Sequence, residues 1–188
     1  MSATQISGKA ITATAAANIK NTNKMTRIFF LCFIAVFFSI RCFSQDVNSK
    51  APDFSAKDLN GNSIKLSDLK GKVVVLDFWA SWCVPCKKSM PHLIQLYNDH
   101  TADSLLIIGI NVDTQIDKMR EFQNAINEDI TFPLIFDSES KIPPLYNVEG
   151  MPTTVVINRD GVIKYKEVGY NDDLKDKLDK TVKELLTK

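Results

Sequence analysis

Two cysteines separated by two residues, Cys83 and Cys86, are the residues of this sequence whose types and spacing most directly suggest chemistry. They follow an apolar run typical of a buried strand, at the point where a helix is expected to begin. The positive end of a helix dipole stabilises a thiolate there and lowers the pKa of the first cysteine. We predict that Cys83 attacks, that Cys86 resolves the mixed disulfide, and that electrons pass through this pair with no bound cofactor.

Two alternatives to a redox pair are an inert pair of cysteines and half of a zinc site. Structural zinc takes four ligands, and the chain from residue 45 onwards has no cysteines besides Cys83 and Cys86. Its only histidines are His92 and His100. We therefore predict no metal site.

Asp77 lies six residues before Cys83, within the run Lys72–Phe78 that predicts a strand buried on both faces. An ionised carboxylate isolated in such a strand is costly, so we expect it to be protonated or hydrogen-bonded. Its distance along the strand from the cysteines predicts a catalytic role as the proton acceptor for Cys86. The alternative is a core acid whose hydrogen bonds are satisfied.

The N-terminal region has the pattern of an export signal. Ile28–Ile40 is a 13-residue apolar run interrupted only by serine, shorter than the ~20 residues that span a bilayer. Lys24 and Arg27 precede it, and small residues suit cleavage after Ser44. We predict that residues 1–44 form a signal region, within which the signal itself starts at Met25. Residues 45–188 then form the mature domain. An uncleaved anchor and a buried core helix are the alternatives.

Removal of that region changes the cysteine count and the charge. Cys32 and Cys42 lie within it, so the mature chain keeps only the pair at 83 and 86. Residues 45–188 contain 18 basic and 22 acidic residues, a net charge of −4, with no basic stripe for nucleic acid. We predict a periplasmic protein that contacts the membrane only through its signal or anchor.

Periodicity predicts an α/β fold in residues 45–188. A hairpin around Asn60–Gly61 comes first, two buried strands flank a helix from about Cys83 to Asn98, and a hairpin and a final helix close the chain. Alternation of strands and helices predicts a partly parallel central sheet with helices on both faces. The strands predicted after that helix are 105–112, 132–136, 153–157 and 162–168. The later helices are predicted to begin at residue 114 or 115 and at residue 171 or 172.

Three segments resemble the thioredoxin superfamily. Asp77–Lys87, with the sequence DFWASWCVPCK, is similar to the active-site segment of thioredoxins. Pro91 matches the proline that kinks the active-site helix, and Gly150–Thr153 (GMPT) is similar to the cis-proline loop. With the leading hairpin and the export signal, the chain resembles TlpA/ResA-type exported thiol–disulfide oxidoreductases from about residue 51 to 188.

The resemblance implies a thioredoxin fold: a central mixed β-sheet flanked by helices, with an N-terminal β-hairpin and a strand-helix insert at about residues 115–136. It also implies that Trp82 shields one side of the disulfide and that Pro152 is cis and faces Cys83. The backbone of Met151 would then pair with an extended substrate segment. Trp82, Pro85, Met151 and Pro152 are thus the predicted substrate-binding residues.

The sequence departs from the family at the buried acid. Cytoplasmic thioredoxins have a lysine near this carboxyl, and the matching position here is Gly109, so Asp77 is expected to titrate higher. Many TlpA/ResA-type proteins have a glutamate near the end of the second central strand. The nearby acid here is Asp113, and proton handling by Asp77, Asp113 or both stays open at this point.

We therefore expect an exported enzyme that reduces protein disulfides, with no cofactor. Its expected partners are protein thiols and disulfides and a membrane-bound electron donor. Cytochrome c maturation and antioxidant repair are family possibilities. The alternatives are a disulfide oxidase or isomerase, a peroxiredoxin-like peroxidase, and a copper-binding or non-catalytic module. No peroxidase-type proline–threonine–cysteine pocket surrounds Cys83, which argues against the peroxidase.

Overall fold

A computed structural model describes residues 47–100, 102, 104–126 and 128–187. The predicted signal region lies outside the described residues. Within the described part, no helix combines the length and the apolar character needed to cross a bilayer.

Seven strands and three α-helices make up the described chain. The strands are β1 (Ser55–Lys57), β2 (Ser63–Lys65), β3 (Val73–Trp79), β4 (Leu105–Asn111), β5 (Leu134–Phe136), β6 (Thr153–Ile157) and β7 (Ile163–Val168). The α-helices are α1 (Val84–His100), α2 (Ile116–Ala125) and α3 (Asp172–Leu186), and short 3-10 helices span Leu66–Leu69 and Pro143–Tyr146.

The central sheet is mixed, as predicted. Its strand order is β5-β4-β3-β6-β7, while β1 and β2 form a separate antiparallel hairpin. Strand β4 runs parallel to both β3 and β5, and β6 runs antiparallel to β3 and β7. The predicted insert corresponds to α2 and the edge strand β5. The α/β architecture with a leading hairpin is confirmed.

Strand β3 is buried along its whole length because apolar layers cover both faces of the sheet. Val73, Val75 and Trp79 join a cluster with the buried side chains of the three α-helices. The alternate residues Val74 and Phe78 join a second cluster beneath the hairpin and the 3-10 helices. The period-2 alternation of a strand thus assigns each β3 side chain to one layer.

Helix α1 carries the apolar side that the sequence predicts. Leu93 and Leu96 are buried and Tyr97 packs against the same cluster. Pro91 lies inside the helix, where it has no N–H to donate to the preceding turn. The helix begins at Val84, so Cys83 occupies the position immediately before it.

Candidate active site

Cys83 and Cys86 form a disulfide across the first turn of α1, with an S–S distance of 2.03 Å and a Cα–Cα distance of 5.3 Å. Cys86 is fully buried and Cys83 is 3% exposed. The backbone N–H of Cys86 donates a hydrogen bond to Sγ of Cys83 at 3.2 Å. The helix N-terminus therefore contacts the sulfur of the predicted nucleophile, which is where a thiolate gains stabilisation.

A tight turn at the end of β3 presents this pair. The N–H of Cys83 donates to the carbonyl of Ala80 at 3.1 Å, which closes the turn over residues 80–83. Trp82 is 70% exposed on this turn, and Val84 and Pro85 after it are also exposed. An apolar surface thus borders the disulfide on the side open to solvent.

Asp77 lies on the face of β3 that contributes to the cluster containing both cysteines. Its neighbours two residues away, Val75 and Trp79, belong to that cluster. Its carboxyl is fully buried, and Oδ1 accepts a 3.2 Å hydrogen bond from Oγ1 of Thr154 on β6. Oδ2 has no hydrogen-bond partner among the described residues. Burial raises the pKa of Asp77 to about 7, against the opposing effect of the Thr154 hydrogen bond.

Gly109 is the register partner of Asp77 on β4, which agrees with the position inferred from the sequence. A Cβ atom at this position would lie 2.5 Å from Cδ2 of Leu134 and 3.1 Å from Nε1 of Trp79. No longer side chain, lysine included, can therefore occupy this position without rearrangement. The expectation that Asp77 titrates higher is confirmed by its raised pKa.

Asp113 lies beyond the end of β4 and is 5% exposed. Its carboxylate accepts hydrogen bonds from the N–H and the Oγ–H of Ser81 and from Nδ2 of Asn111. Asp113 is therefore bound to the turn that presents Cys83. Neither Ser81 nor Asn111 was singled out from the sequence, because Ser81 meets Asp113 across 32 positions and such a contact leaves no local pattern.

The Met151–Pro152 peptide bond is cis, as the resemblance implies. Pro152 is buried and Met151 is half-buried against the cluster that contains Cys83 and Cys86. The carbonyl of Pro152 accepts a 2.7 Å hydrogen bond from the N–H of Gly169, which ties the loop to the end of β7. The substrate-binding roles of these residues, and of Trp82 and Pro85, remain predictions.

The described residues contain no group of three or more histidine, cysteine, aspartate or glutamate side chains placed to hold a metal ion.

Known proteins are similar to this chain in sequence and in fold. The pattern of the AhpC/TSA family matches residues 47–166, more than half of the chain. The chain belongs to this family. It is 36% identical to the thiol-disulfide oxidoreductase ResA of Geobacillus kaustophilus over 118 residues, which cover 63% of this chain and 67% of that protein. It is also 36% identical to ResA of Bacillus subtilis over 115 residues, 61% of this chain and 63% of that protein.

A solved structure extends the comparison to about three quarters of the chain. The crystal structure of a putative thiol:disulfide interchange protein DsbE from Chlorobium tepidum superposes with a TM-score of 0.71 at 36% identity. The match covers 76% of this chain and 99% of that one. Together with the Cys83–Cys86 disulfide, these relatives make the chain a thiol–disulfide oxidoreductase of the ResA/DsbE type with a thioredoxin fold.

Proposed function

We propose that this protein is exported to the periplasm and reduces disulfides in other proteins. The observation that carries the proposal is the disulfide across the first turn of α1, whose Cys83 sulfur accepts the N–H of Cys86. A pair closed over only two intervening residues contributes little through loop closure, which favours a redox role over a structural one.

The proposed reaction begins with the reduced pair. The Cys83 thiolate attacks one sulfur of a substrate disulfide, a mixed disulfide forms, and one substrate thiolate leaves and takes up a proton. Asp77 accepts the proton of Cys86, whose thiolate attacks Sγ of Cys83 and releases the second substrate thiol. Two electrons have moved to the substrate, and the Cys83–Cys86 disulfide remains.

The groups around Cys83 support the reducing direction. A strongly oxidising pair needs a strongly stabilised thiolate. Among the described contacts, Sγ of Cys83 accepts one backbone N–H and no hydrogen bond from a histidine or lysine side chain. When Asp77 is ionised, its negative charge opposes a second negative charge on the cysteines, which pack in the cluster on the same face of β3. The dithiol is therefore only moderately favoured, and it gives up electrons readily.

The midpoint potential of the Cys83–Cys86 couple tests this direction. We expect a value near the roughly −270 mV of thioredoxin rather than the roughly −120 mV of the oxidase DsbA. Equilibration with defined dithiothreitol mixtures measures it, and insulin reduction measures the activity. A potential near the oxidase value, or turnover of peroxide faster than of insulin, would favour the oxidase or peroxidase alternative.

Variants of the two cysteines test their proposed roles. Cys83→Ala should abolish insulin reduction, whereas Cys86→Ala should accumulate mixed disulfides that dithiothreitol releases. The matched control is Ser138→Ala, which removes one Oγ atom at an exposed position distant in sequence from both cysteines. Turnover that survives in Cys83→Ala would disprove the proposed nucleophile.

Export creates a need for electrons, because each turnover leaves the pair oxidised. We propose a membrane-bound donor that reduces Cys83–Cys86 again and extended protein segments that bind along Trp82, Pro85, Met151 and Pro152. The exposed apolar side chains on the Cys83 turn support a protein partner rather than a small polar one. If the Cys83–Cys86 pair were found only as the disulfide in living cells, that result would contradict such a donor.

A further inference from the structure

We propose that Asp113 is a positioning residue that holds the Ala80–Cys83 turn, and with it the attacking sulfur, through Ser81. This inference rests on the proposed function, because it concerns the turn that carries the proposed nucleophile. It assigns to Asp113 a role other than the proton handling that its place near the site suggests.

Three hydrogen-bond contacts join Asp113 to the turn. The backbone N–H of Ser81 lies 3.0 Å from Oδ2 and 3.3 Å from Oδ1 of Asp113, and Oγ of Ser81 donates to Oδ1 at 2.9 Å. Ser81 is the second residue of the turn that the Cys83 N–H closes on Ala80. Because both the backbone and the side chain of Ser81 donate to the same carboxyl group, these contacts restrain the corner of the turn.

The carboxylate is itself held from the other side. Nδ2 of Asn111 donates to Oδ2 of Asp113 at 2.8 Å, and the N–H of Asp113 donates to Oδ1 of Asn111 at 3.1 Å. Asn111 is fully buried and is the register partner of Trp79, the last residue of β3. The N–H of Val112 also donates to the carbonyl of Trp79 at 3.1 Å. The network thus continues the β3–β4 pairing past the end of both strands and reaches the redox turn.

The contacts favour positioning over proton transfer. Both carboxylate oxygens of Asp113 already accept hydrogen bonds, each from a donor that is itself fixed. Asp77, by contrast, keeps one oxygen without a partner among the described residues, and its pKa is about 7. Donors on the turn and on β4 fix the orientation of the Asp113 carboxyl, which suits a positioning role.

A double-mutant cycle tests whether Asp113 acts through Ser81. The measured quantity is the second-order rate constant for attack of the reduced protein on dithiobis(nitrobenzoate), a small disulfide that needs no substrate-binding surface. We expect Asp113→Ala and the double variant to react about tenfold more slowly than the wild type, because small displacements of a reacting group are costly. Ser81→Ala alone should lose less of the rate, because its backbone N–H can still donate to Asp113. Ser81→Thr keeps the hydroxyl and should restore the rate, and Ser138→Ala is the matched control.

Thermal unfolding of the same variants separates positioning from general stability, because a merely structural role lowers the melting temperature without slowing attack by the folded protein. Asp113→Asn, which keeps the size of the side chain and removes one acceptor oxygen, keeps the test decisive if Asp113→Ala does not fold. A wild-type rate in folded Asp113→Ala or Asp113→Asn, or losses that multiply in the double variant, would overturn the inference. If instead Cys83→Ala reacts as fast as the wild type, the proposed nucleophile itself has failed.

Discussion

A single buried carboxyl has an unusual place in this site. Asp77 is fully buried and, among the described residues, has one hydrogen-bond donor, Thr154, for its two oxygens. Desolvation therefore dominates and raises its pKa to about 7, so it changes protonation in the range where thiol chemistry operates. A base with a pKa near the working pH is well matched to deprotonating a second cysteine.

Replacement of the carboxyl should slow the resolving step. In Asp77→Asn we expect release of the mixed disulfide to be about 100-fold slower at pH 7, because general-base catalysis contributes at least that much. The difference should shrink as the pH approaches the usual thiol pKa of about 8.5, where Cys86 ionises without help. Stopped-flow release of a fluorescent thiol measures it. Equal rates at pH 7 would remove Asp77 from the mechanism.

Thr154→Val offers a finer variant at the same site. It removes the only donor that the described residues supply to Asp77, and that hydrogen bond lowers the pKa of the carboxyl. The midpoint of the pH–rate profile for the resolving step should therefore move above 7. A midpoint that moves down, or does not move, would show that the profile reports another group.

The same pKa makes a prediction about stability. The unfolded carboxyl titrates near 3.8 and the folded one near 7, so the folded state binds more protons between these values. The contribution of Asp77 to stability is therefore greatest below pH 4, falls as the pH rises, and is lower by a constant amount above 7. The rise in the pKa of Asp77 corresponds to a free energy of unfolding that is lower by about 4 kcal/mol above pH 7 than below pH 4. Asp77→Asn should lose this dependence, as urea unfolding between pH 4 and 8 would show.

The matched control for that measurement is Asp129→Asn, at an exposed position. It should leave the wild-type pH dependence in place. If the free energy of unfolding depended on pH in the same way for the wild type and Asp77→Asn, the pKa of Asp77 in the folded protein would lie near its ordinary value.

At the scale of elements, Gly109 of β4 leaves room for side chains from the strands on either side of it. The space that a Cβ would take is filled by Leu134 from β5 and by the ring of Trp79 from β3. A charged side chain at position 109, the register partner of Asp77, would collide with both of these groups.

Gly109→Ala should destabilise the fold by about 1–3 kcal/mol, because overpacking forces neighbours away from their rotamers. Leu134→Ala alone should also destabilise, because it leaves a cavity. The double variant should lose less than the sum, since the new methyl group takes part of the space that Leu134 vacates. Chemical unfolding of the three variants measures this coupling, and strict additivity would contradict the packing argument.

The elements themselves could be predicted from the sequence to a large extent. The apolar run of β3, the Asn60–Gly61 turn and the spacing of Cys83 and Cys86 are local signals, and each lies where it was expected. The 3-10 helix at Pro143–Tyr146 was not predicted, although prolines suit a helix start.

Contacts between residues distant in the chain could not be predicted from the sequence. Ser81 meets Asp113 and Asp77 meets Thr154 only because β3 lies between β4 and β6. Strand order depends on tertiary packing rather than on the local pattern, so these pairs became visible only in the fold.

For the whole molecule, the sequence separates a basic, apolar N-terminal region from an acidic domain. Residues 45–188 have a net charge of −4 and contain two of the four cysteines. The compact unit that the structure describes contains the Cys83–Cys86 disulfide together with Asp77 and Asp113. We propose that the N-terminal region acts in delivery.

Export and processing should be visible in the mass of the mature protein. On expression in a Gram-negative host, we expect a periplasmic species that begins at Gln45. It should add two alkyl groups after reduction and none when oxidised, because Cys32 and Cys42 have been removed. Intact mass spectrometry of the periplasmic fraction measures both quantities at once. A species with four alkylated cysteines would show that the signal is retained.

A pair of matched substitutions then tests the apolar run as the export signal. Ile34→Arg places a charge at its centre, which costs about 2.5–3.5 kcal/mol on insertion, and should leave an unprocessed precursor in the cytoplasm. Ile11→Arg makes the same change before Met25 and should be exported normally, since the signal is expected to start at Met25. Export of both variants would remove Ile28–Ile40 as the signal, whereas retention of both would place the start of the signal before Met25.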